Sequence, residues 1–155
     1  MIGRIAKSFK DASGAGLLLV SLAACSTAAQ AATYTMYRDA GCGCCLKWAD
    51  HAEAGLDATV KVENAPNMQT VKDLHGVPVA LRSCHTMLVE GYVIEGHVPA
   101  EAVEKLLREK PDDVTGIAVP GMPIGSPGME QQGIKQPYQV IAFGPKGQRV
   151  FANYN

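Results

Sequence analysis

Apolar and polar residues alternate in short segments of the chain and recur at helical spacing in longer ones, which predicts a mixed sheet with helices. The predicted strands are 33–37, 58–62, 86–89 and 92–95. The predicted helices begin at Cys44, Met68 and Pro99. The first and third helices each carry an apolar stripe, as expected for elements that pack on a sheet.

Local sequence features predict where these elements end. Asn67 is a predicted N-cap of the second helix, which Gly76 ends. Pro99 fits the first position of the third helix, which Pro111 ends. Glu90-Gly91 is a two-residue turn that joins the third and fourth strands as a hairpin. The order β-α-β-α-β-β-α is that of a thioredoxin-like fold, an α/β architecture with a small mixed sheet and helices on both faces.

Residues 111–137 interrupt this pattern, because ten of these 27 residues are Gly or Pro and no periodicity is visible. We expect a long loop here, and such loops in compact domains are usually functional or disordered. Residues 138–143 and 148–152 alternate on either side of a Gly-Pro-Lys-Gly turn, which predicts a terminal hairpin within 138–154. Because a lone hairpin is marginally stable, we expect it to extend the main sheet.

The first 31 residues have the layout of a secretory signal peptide, with basic residues, a short apolar run at 17–24 and a cleavage motif at Ala29-Gln30-Ala31. The run is too short to span a membrane. In a competing interpretation, a bacterial lipobox ends at Cys25, which is then lipidated. Both interpretations predict export to a bacterial periplasm and a single domain over 32–155, with membrane attachment only if Cys25 carries lipid.

Composition narrows the classes of function. The 155 residues suffice for one domain with a core, and a chain that is 47% hydrophobic and 19% charged is not expected to be disordered. The net charge of −1 provides no basic field to attract nucleic acid. Five cysteines in a chain of this length, most of them clustered, are the most informative feature.

Three cysteines crowd into the sequence Cys42-Gly43-Cys44-Cys45 at the predicted start of the first helix. Free N–H groups and the helix dipole favour thiolate there, and thiolate is both a redox nucleophile and a soft-metal ligand. A third cysteine inside a C-x-x-C motif invites scrambled disulfides in an oxidoreductase, but it adds a ligand for a soft metal. Zinc is the other metal candidate, although its thiolates usually come in C-x₂₋₄-C pairs. The crowding therefore favours Cu(I) or a small copper–thiolate cluster.

Cys84 supplies a fourth sulfur if the predicted fold is correct. In a thioredoxin-like fold the segment just before the third strand faces the C-x-x-C motif, and here that segment is 83–86. In an alternative threading, Val77-Pro78 is the facing element and 79–81 is the strand, which leaves Cys84 on a neighbouring loop. We favour the first threading, which brings all four sulfurs to one place.

Other side chains are candidates for the same site. His85 adjoins Cys84 and is a candidate ligand or a neighbour of the metal. Met122 and Met129 lie in the Gly/Pro-rich loop, where a thioether could bind Cu(I) or simply pack on the core; Met122 is the better candidate ligand. His97 stands between the fourth strand and the third helix, where we expect helix capping and not metal binding. Trp48 is expected to pack under the cysteine turn.

Two functions without copper remain open at this point. In a thiol–disulfide oxidoreductase, Cys42 would attack the substrate and Cys45 would resolve the mixed disulfide. In a binding module stapled by disulfides, the four cysteines would form two bridges, the default in an oxidising compartment.

The motifs in their order resemble the CopG-like periplasmic copper-resistance proteins, long known only as a domain of unknown function. The resemblance covers Thr33 to Phe151. It is carried by CGCC at 42–45 with Lys47-Trp48, GVP at 76–78, SCHT at 83–86, EGY at 90–92, EGHVP at 95–99 and VPGMPIGSPGME at 119–130. It implies a thioredoxin-like fold, copper bound by Cys42, Cys44, Cys45 and Cys84, and a role in copper resistance. It also implies redox handling of Cu(I) and Cu(II), with a copper efflux system or a periplasmic metallochaperone as partner.

Overall fold

The computed structural model describes residues 32–155, so the predicted signal peptide and the candidate lipidation site at Cys25 lie outside the described residues. The helices are α1 (Gly43–Leu56), α2 (Met68–Leu74) and α3 (Ala100–Glu109), with a 3₁₀ turn at Val79–Leu81. The strands are β1 (Thr33–Arg38), β2 (Thr59–Asn64), β3 (His85–Val89), β4 (Tyr92–Glu95), β5 (Gly116–Ala118), β6 (Tyr138–Gly144) and β7 (Gly147–Tyr154).

All of these strands join one mixed sheet in the order β2-β1-β3-β4-β5-β6-β7. The pairs β1–β2 and β4–β5 are parallel, and the other neighbouring pairs are antiparallel. The predicted α/β class and the predicted element order from β1 to α3 are therefore confirmed. The mixed directions follow from the connections, since a helix joins β1 to its parallel partner β2 whereas a tight turn joins β3 to β4.

The period of two along each strand separates the sheet into two faces. Met36 of β1 and Met87 of β3 are register partners, and both are fully buried on the face that α1 and α3 cover. The alternating residues Thr86 and Glu95 face α2 instead, where they contact Lys72. The larger core lies under α1 and α3. A smaller one lies on the α2 side and consists of Val77, Leu81, Val93, Ala118 and Phe143.

The ends of the helices agree with the sequence features in part. The Asn67 side chain accepts hydrogen bonds from Gln69 N and Thr70 N, which confirms the predicted cap of α2. Pro99 is itself the N-cap of α3 and not its first residue. Cys42 is the N-cap of α1 and makes no side-chain cap bond, so the sulfur chemistry sits directly at a helix N-terminus.

The prediction of one long loop over 111–137 is wrong in its first part, because Gly116–Ala118 forms β5 between β4 and β6. A strand of three residues is too short to produce a visible period. Gly116 is required there, since a Cβ atom would lie 2.2 Å from the Val93 carbonyl oxygen. Through β5, the predicted terminal hairpin of β6 and β7 extends the sheet.

The remaining segment, 119–137, is the Gly/Pro loop from here on. It closes on itself through bonds from Gly125 N to Met129 O (3.0 Å) and from Gln136 N to Ile124 O (2.8 Å). It packs on α1 at Gly128, where a Cβ atom would lie 2.8 Å from both Cys44 O and Trp48 N. Within residues 32–155, no helix is long and apolar enough to cross a membrane.

Candidate metal centre

The CGCC turn is held by a buried arginine from the end of β1. Arg38 is 8% exposed, and its Nη1 donates to the carbonyl oxygens of Asp39 (3.1 Å), Ala40 (3.1 Å) and Cys42 (2.9 Å). The Cys42 amide donates in turn to Asp39 O (3.0 Å). A guanidinium with several donors in a fixed plane suits this convergence of carbonyls. Arg38 thereby fixes the backbone from which the first cysteine projects.

The cysteines of the turn are partly oxidised. Cys42 and Cys45 form a disulfide, and Cys44 Sγ lies 3.5 Å from Cys42 Sγ. Cys45 is fully buried, whereas Cys42 and Cys44 are partly exposed. Among the described cysteines Cys44 and Cys84 are free, so two bridges do not form there.

Cys84 reaches the CGCC turn, as the favoured threading predicts. It immediately precedes β3, while residues 79–81 form a 3₁₀ turn and not the strand of the alternative threading. The sulfur atoms of Cys42, Cys44, Cys45 and Cys84 all lie within 4.8 Å of one another. The predicted convergence of four sulfurs is therefore present, although about forty residues separate Cys84 from the turn.

Two histidines join Cys84. Its Sγ lies 3.0 Å from His97 Nε2 and 3.3 Å from His85 Nδ1, and one donor atom from each of the three residues falls within 4.8 Å of the others. His85 was predicted here. His97 was not, and the expectation that it caps α3 is wrong: its Nδ1 bonds to Pro127 O of the Gly/Pro loop at 2.8 Å.

Three consecutive residues at the end of β4, 95–97, contact the segment that contains Ser83 and Cys84. Glu95 accepts a bond from Ser83 N, Gly96 packs against Ser83 and His97 contacts Cys84. Gly96 has a φ of +73°, and a Cβ atom there would lie 2.5 Å from Ser83 Cβ. Glycine at this position therefore allows His97 to reach Cys84.

Burial sets the protonation of this group. Burial lowers the pKa of His97. Burial, with His97 and Lys72 nearby, lowers the pKa of His85 well below the usual value. Both rings are therefore neutral near pH 7. Because Pro127 O accepts a bond from Nδ1–H of His97, the Nε2 lone pair faces Cys84. Burial, with Cys44 nearby, raises the pKa of the Cys84 thiol to about 12. The Cys84 S–H therefore donates to His97 Nε2 in the metal-free protein.

His85 is fully buried against Trp48, with ring centroids 4.3 Å apart. The Trp48 indole N–H donates to Val98 O (2.9 Å), which fixes the ring beneath the site. The Nε2 atom of His85 is buried and has no hydrogen-bond partner within the described structure. Since buried polar atoms are normally paired, this nitrogen lone pair is left available beside the sulfurs.

The methionines of the Gly/Pro loop lie at the margins of the site. Met122 is 52% exposed and lines a cavity of about 270 Å³ together with Ser83 and Cys84. Met129 lines a separate cavity of about 350 Å³ beside Cys44. The loop thus borders the cysteine cluster on two sides.

The donors brought together are four sulfurs and two imidazole rings. Thiolate, thioether and imidazole are the ligands that Cu(I) prefers, whereas Mg²⁺ and Ca²⁺ require oxygen. The buried carboxylate of Glu95 lies on the other face of the sheet from the sulfurs, where it contacts Lys72. The chemistry of the donor set therefore fits a soft metal ion.

Comparison with known proteins agrees with this geometry. Residues 81–129 match a family described as "Protein of unknown function, DUF411". A solved structure named "Copper resistance protein copG", Form 2, is 41% identical, with a TM-score of 0.75 over 81% of this chain and 100% of that one. Form 1 of the same protein is also 41% identical, with a TM-score of 0.74 over 81% and 98% of the two chains. No curated protein matches the sequence.

The fold and the donor set together define a mixed α/β protein with a cysteine cluster suited to copper. The identity of 41% to the solved structures extends over 81% of the chain. The chain belongs to the CopG family of copper resistance proteins, as the sequence motifs predicted.

Proposed function

We propose that this protein binds Cu(I) in the defence of the cell against copper, through Cys42, Cys44, Cys45 and Cys84. The observation that supports this most directly is the approach of all four sulfurs to within 4.8 Å of one another. Four thiolates carry charge enough to hold several Cu(I) ions in a small thiolate-bridged cluster. His85 extends the site on its buried side, and Met122 is the candidate ligand at its exposed side.

Copper loading requires that the Cys42–Cys45 disulfide be reduced first. A dithiol donor supplies the two electrons and two protons, so that two thiols form in this protein and one disulfide forms in the donor. Each thiol then loses its proton as it binds copper. Exchange with an oxidised partner disulfide, which is reduced to a dithiol as the Cys42–Cys45 disulfide forms again, removes two ligands and favours release of the metal.

The wider cellular role follows the family resemblance. The order β2-β1-β3-β4 with β3 antiparallel to its neighbours supports a thioredoxin-like fold for the first part of the domain. We place the protein in the periplasm, with export directed by residues 1–31, and propose a copper efflux system or a metallochaperone as its partner. Redox exchange between Cu(I) and Cu(II) belongs to the same proposal, with an electron carrier of that compartment as the co-reactant.

A Cu(I) titration in the presence of a competing chelator tests the four-sulfur site. Fully reduced protein is compared with Cys84→Ser, and His51→Asn, an exposed histidine paired with Glu130, serves as the control. Loss of one thiolate is expected to weaken Cu(I) binding by at least about tenfold or to lower the number of ions bound. If Cys84→Ser binds as many ions as the wild type with equal affinity, the four-sulfur site is wrong.

A second candidate function is thiol–disulfide exchange, which the Cys42–Cys45 disulfide at the start of α1 favours. Cys42 is the accessible partner and would attack a substrate disulfide, while buried Cys45 would resolve the mixed disulfide. Cys44 opposes this function, because its sulfur lies 3.5 Å from that of Cys42 and competes with the substrate. Copper-free reduction of insulin that is rapid in the wild type and lost in Cys42→Ser would favour this candidate.

A further inference from the structure

A buried ion pair lies on the face of the sheet opposite the cysteine cluster. Lys72 Nζ of α2 donates to Glu95 Oε1 of β4 at 2.6 Å, and the two side chains are 1% and 0% exposed. Removing two charges from water is costly, and apolar residues of the same volume often stabilise a protein as well or better. Stability is therefore a weak explanation for this pair, and its other contacts are informative.

Those contacts converge on the segment that carries Cys84 and His85. Glu95 Oε1 also accepts a bond from Ser83 N (2.6 Å), and Glu95 Oε2 accepts one from the Thr86 hydroxyl (2.7 Å). Lys72 Nζ donates to the same hydroxyl oxygen at 3.1 Å. One carboxylate thus holds the residues immediately before and immediately after Cys84-His85.

Ser83 needs such a partner. It lies between the 3₁₀ turn, which ends at Leu81, and β3, which begins at His85, so no helix or strand ladder satisfies its amide. Its hydroxyl donates to Gly121 O, next to Met122 in the Gly/Pro loop. The position of Ser83 therefore controls both the approach of Cys84 to the CGCC turn and the attachment of the loop.

We infer that Glu95 is a positioning residue for the metal centre, which holds the Ser83 amide so that Cys84 reaches the other three sulfurs. The inference rests on the proposed copper function. Lys72 neutralises the buried charge of the carboxylate, while an oxygen of that side chain holds the amide. Glu95 acts through the Ser83 backbone, without contact with the metal.

Two double variants separate positioning from charge. Both remove the ion pair: Lys72→Met with Glu95→Gln keeps an oxygen that accepts from the Ser83 amide, whereas Lys72→Met with Glu95→Leu removes it. Cu(I) affinity of the reduced proteins is measured by chelator competition. We expect the Gln variant to stay within about twofold of the wild type and the Leu variant to lose at least about tenfold in affinity. Equal loss in both variants, or loss in neither, overturns the inference.

Two controls guard against a purely structural effect. Val93→Ala empties part of the small core on the same face and makes no polar contact with the segment 83–86; it should lower stability and leave Cu(I) affinity unchanged. In a Cys84→Ser background the two double variants should bind copper equally.

Thr86→Val serves as the test if the Leu variant does not fold. This substitution removes one bond to Glu95 and keeps the ion pair. It should lower Cu(I) affinity by about threefold, and an unchanged affinity overturns the inference.

A copper-free readout distinguishes failure of this inference from failure of the proposed function. In a Cys44→Ser background with the Cys42–Cys45 disulfide intact, Cys84 is the free thiol among residues 32–155. Its alkylation by iodoacetamide should be about tenfold faster in the Leu variant than in the Gln variant. If this difference is found but the wild type binds no Cu(I), positioning stands and the copper function falls; equal alkylation rates overturn positioning.

Discussion

The His97 ring is fixed so that its Nε2 lone pair faces Cys84 Sγ at 3.0 Å, because its other nitrogen donates to the Pro127 carbonyl. A neutral imidazole held in one tautomer is prepared to accept the thiol proton or to bind a metal ion beside the sulfur. The Gly/Pro loop thus sets the chemistry of a residue that belongs to another part of the chain.

His97→Leu is expected to weaken Cu(I) binding by about tenfold or more, because the ring nitrogen next to Cys84 is lost. The measurement is chelator competition on reduced protein. His75→Leu is the control, since His75 is the C-cap of α2, stacks on Tyr37 and belongs to neither group of clustered donor residues. Equal affinities for His97→Leu and wild type would show that His97 serves packing alone.

Met122→Leu should lower Cu(I) affinity by only about two- to threefold, since this candidate ligand is half exposed at the edge of the Cys84 cavity and the four thiolates hold most of the metal. Its thioether is expected to matter for the rate at which copper arrives from a chelator, measured by stopped-flow absorbance. A loss of affinity as large as that of Cys84→Ser would place the thioether among the principal ligands.

Arg38→Met should destabilise the oxidised protein by about 2 kcal/mol or more, because three carbonyl oxygens of the cysteine turn lose a charged donor. Urea unfolding measures this effect. Arg108→Met, at an exposed position of α3, is the control and should fall within about 0.5 kcal/mol of wild type. A similar small value for Arg38→Met would contradict the role of Arg38 in holding the turn.

Gly128→Ala should be more damaging than Gly133→Ala. Both glycines have positive φ, +81° and +70°, so both substitutions carry similar backbone strain, but only Gly128 has backbone atoms of α1 where a Cβ would lie. We expect a difference of about 2 kcal/mol or more in unfolding free energy, together with lower Cu(I) affinity for Gly128→Ala. Equal effects of the two substitutions would show that the loop does not depend on close contact with α1.

The stability of metal-free protein should fall on both sides of neutral pH. Burial lowers the pKa of His85 and of His97, so below about pH 6.5 the unfolded chain binds protons that the folded chain does not, and stability drops by up to about 1.4 kcal/mol per pH unit for each histidine. The pKa of Cys84 is raised, so above about pH 8.5 the unfolded chain loses a proton that the folded chain keeps, and stability falls again.

Denaturant unfolding of the protein with its disulfide intact, from pH 5 to pH 10, checks these two limbs. His85→Phe, which keeps a ring against Trp48, should make the acid limb shallower. Cys84→Ala should flatten the alkaline limb. An acid limb of unchanged slope in His85→Phe would mean that other groups control it.

Much of the fold follows from local sequence features. Asn67, Gly76 and the Glu90-Gly91 turn mark element ends that depend on neighbouring residues alone, and the structure places them as predicted. The strand Gly116–Ala118 could not be predicted, because three residues give no period and the pairing of β5 with β4 comes from tertiary structure. Whether the whole fold is thioredoxin-like remains a prediction.

Part of the candidate site could be predicted from the sequence. Residues that are adjacent in the chain were visible directly, and others could be placed once the order of the strands was recognised. The CGCC cluster is visible directly, and Cys84 follows once β3 is placed correctly. His97 carries no such mark, since a single histidine after a strand is compatible with many roles. Its contact with Cys84 depends on the tight packing of Gly96 against Ser83, which becomes apparent only in three dimensions.

The contact between Gly128 and the first turns of α1 has a consequence for tracing distant relatives of this protein. Where two stretches of main chain touch, no side chain larger than hydrogen is tolerated, whatever ion the pocket carries. A homologue that has exchanged its sulfur donors for others should therefore still keep this glycine. Its presence would identify an inherited scaffold even after the cargo has changed.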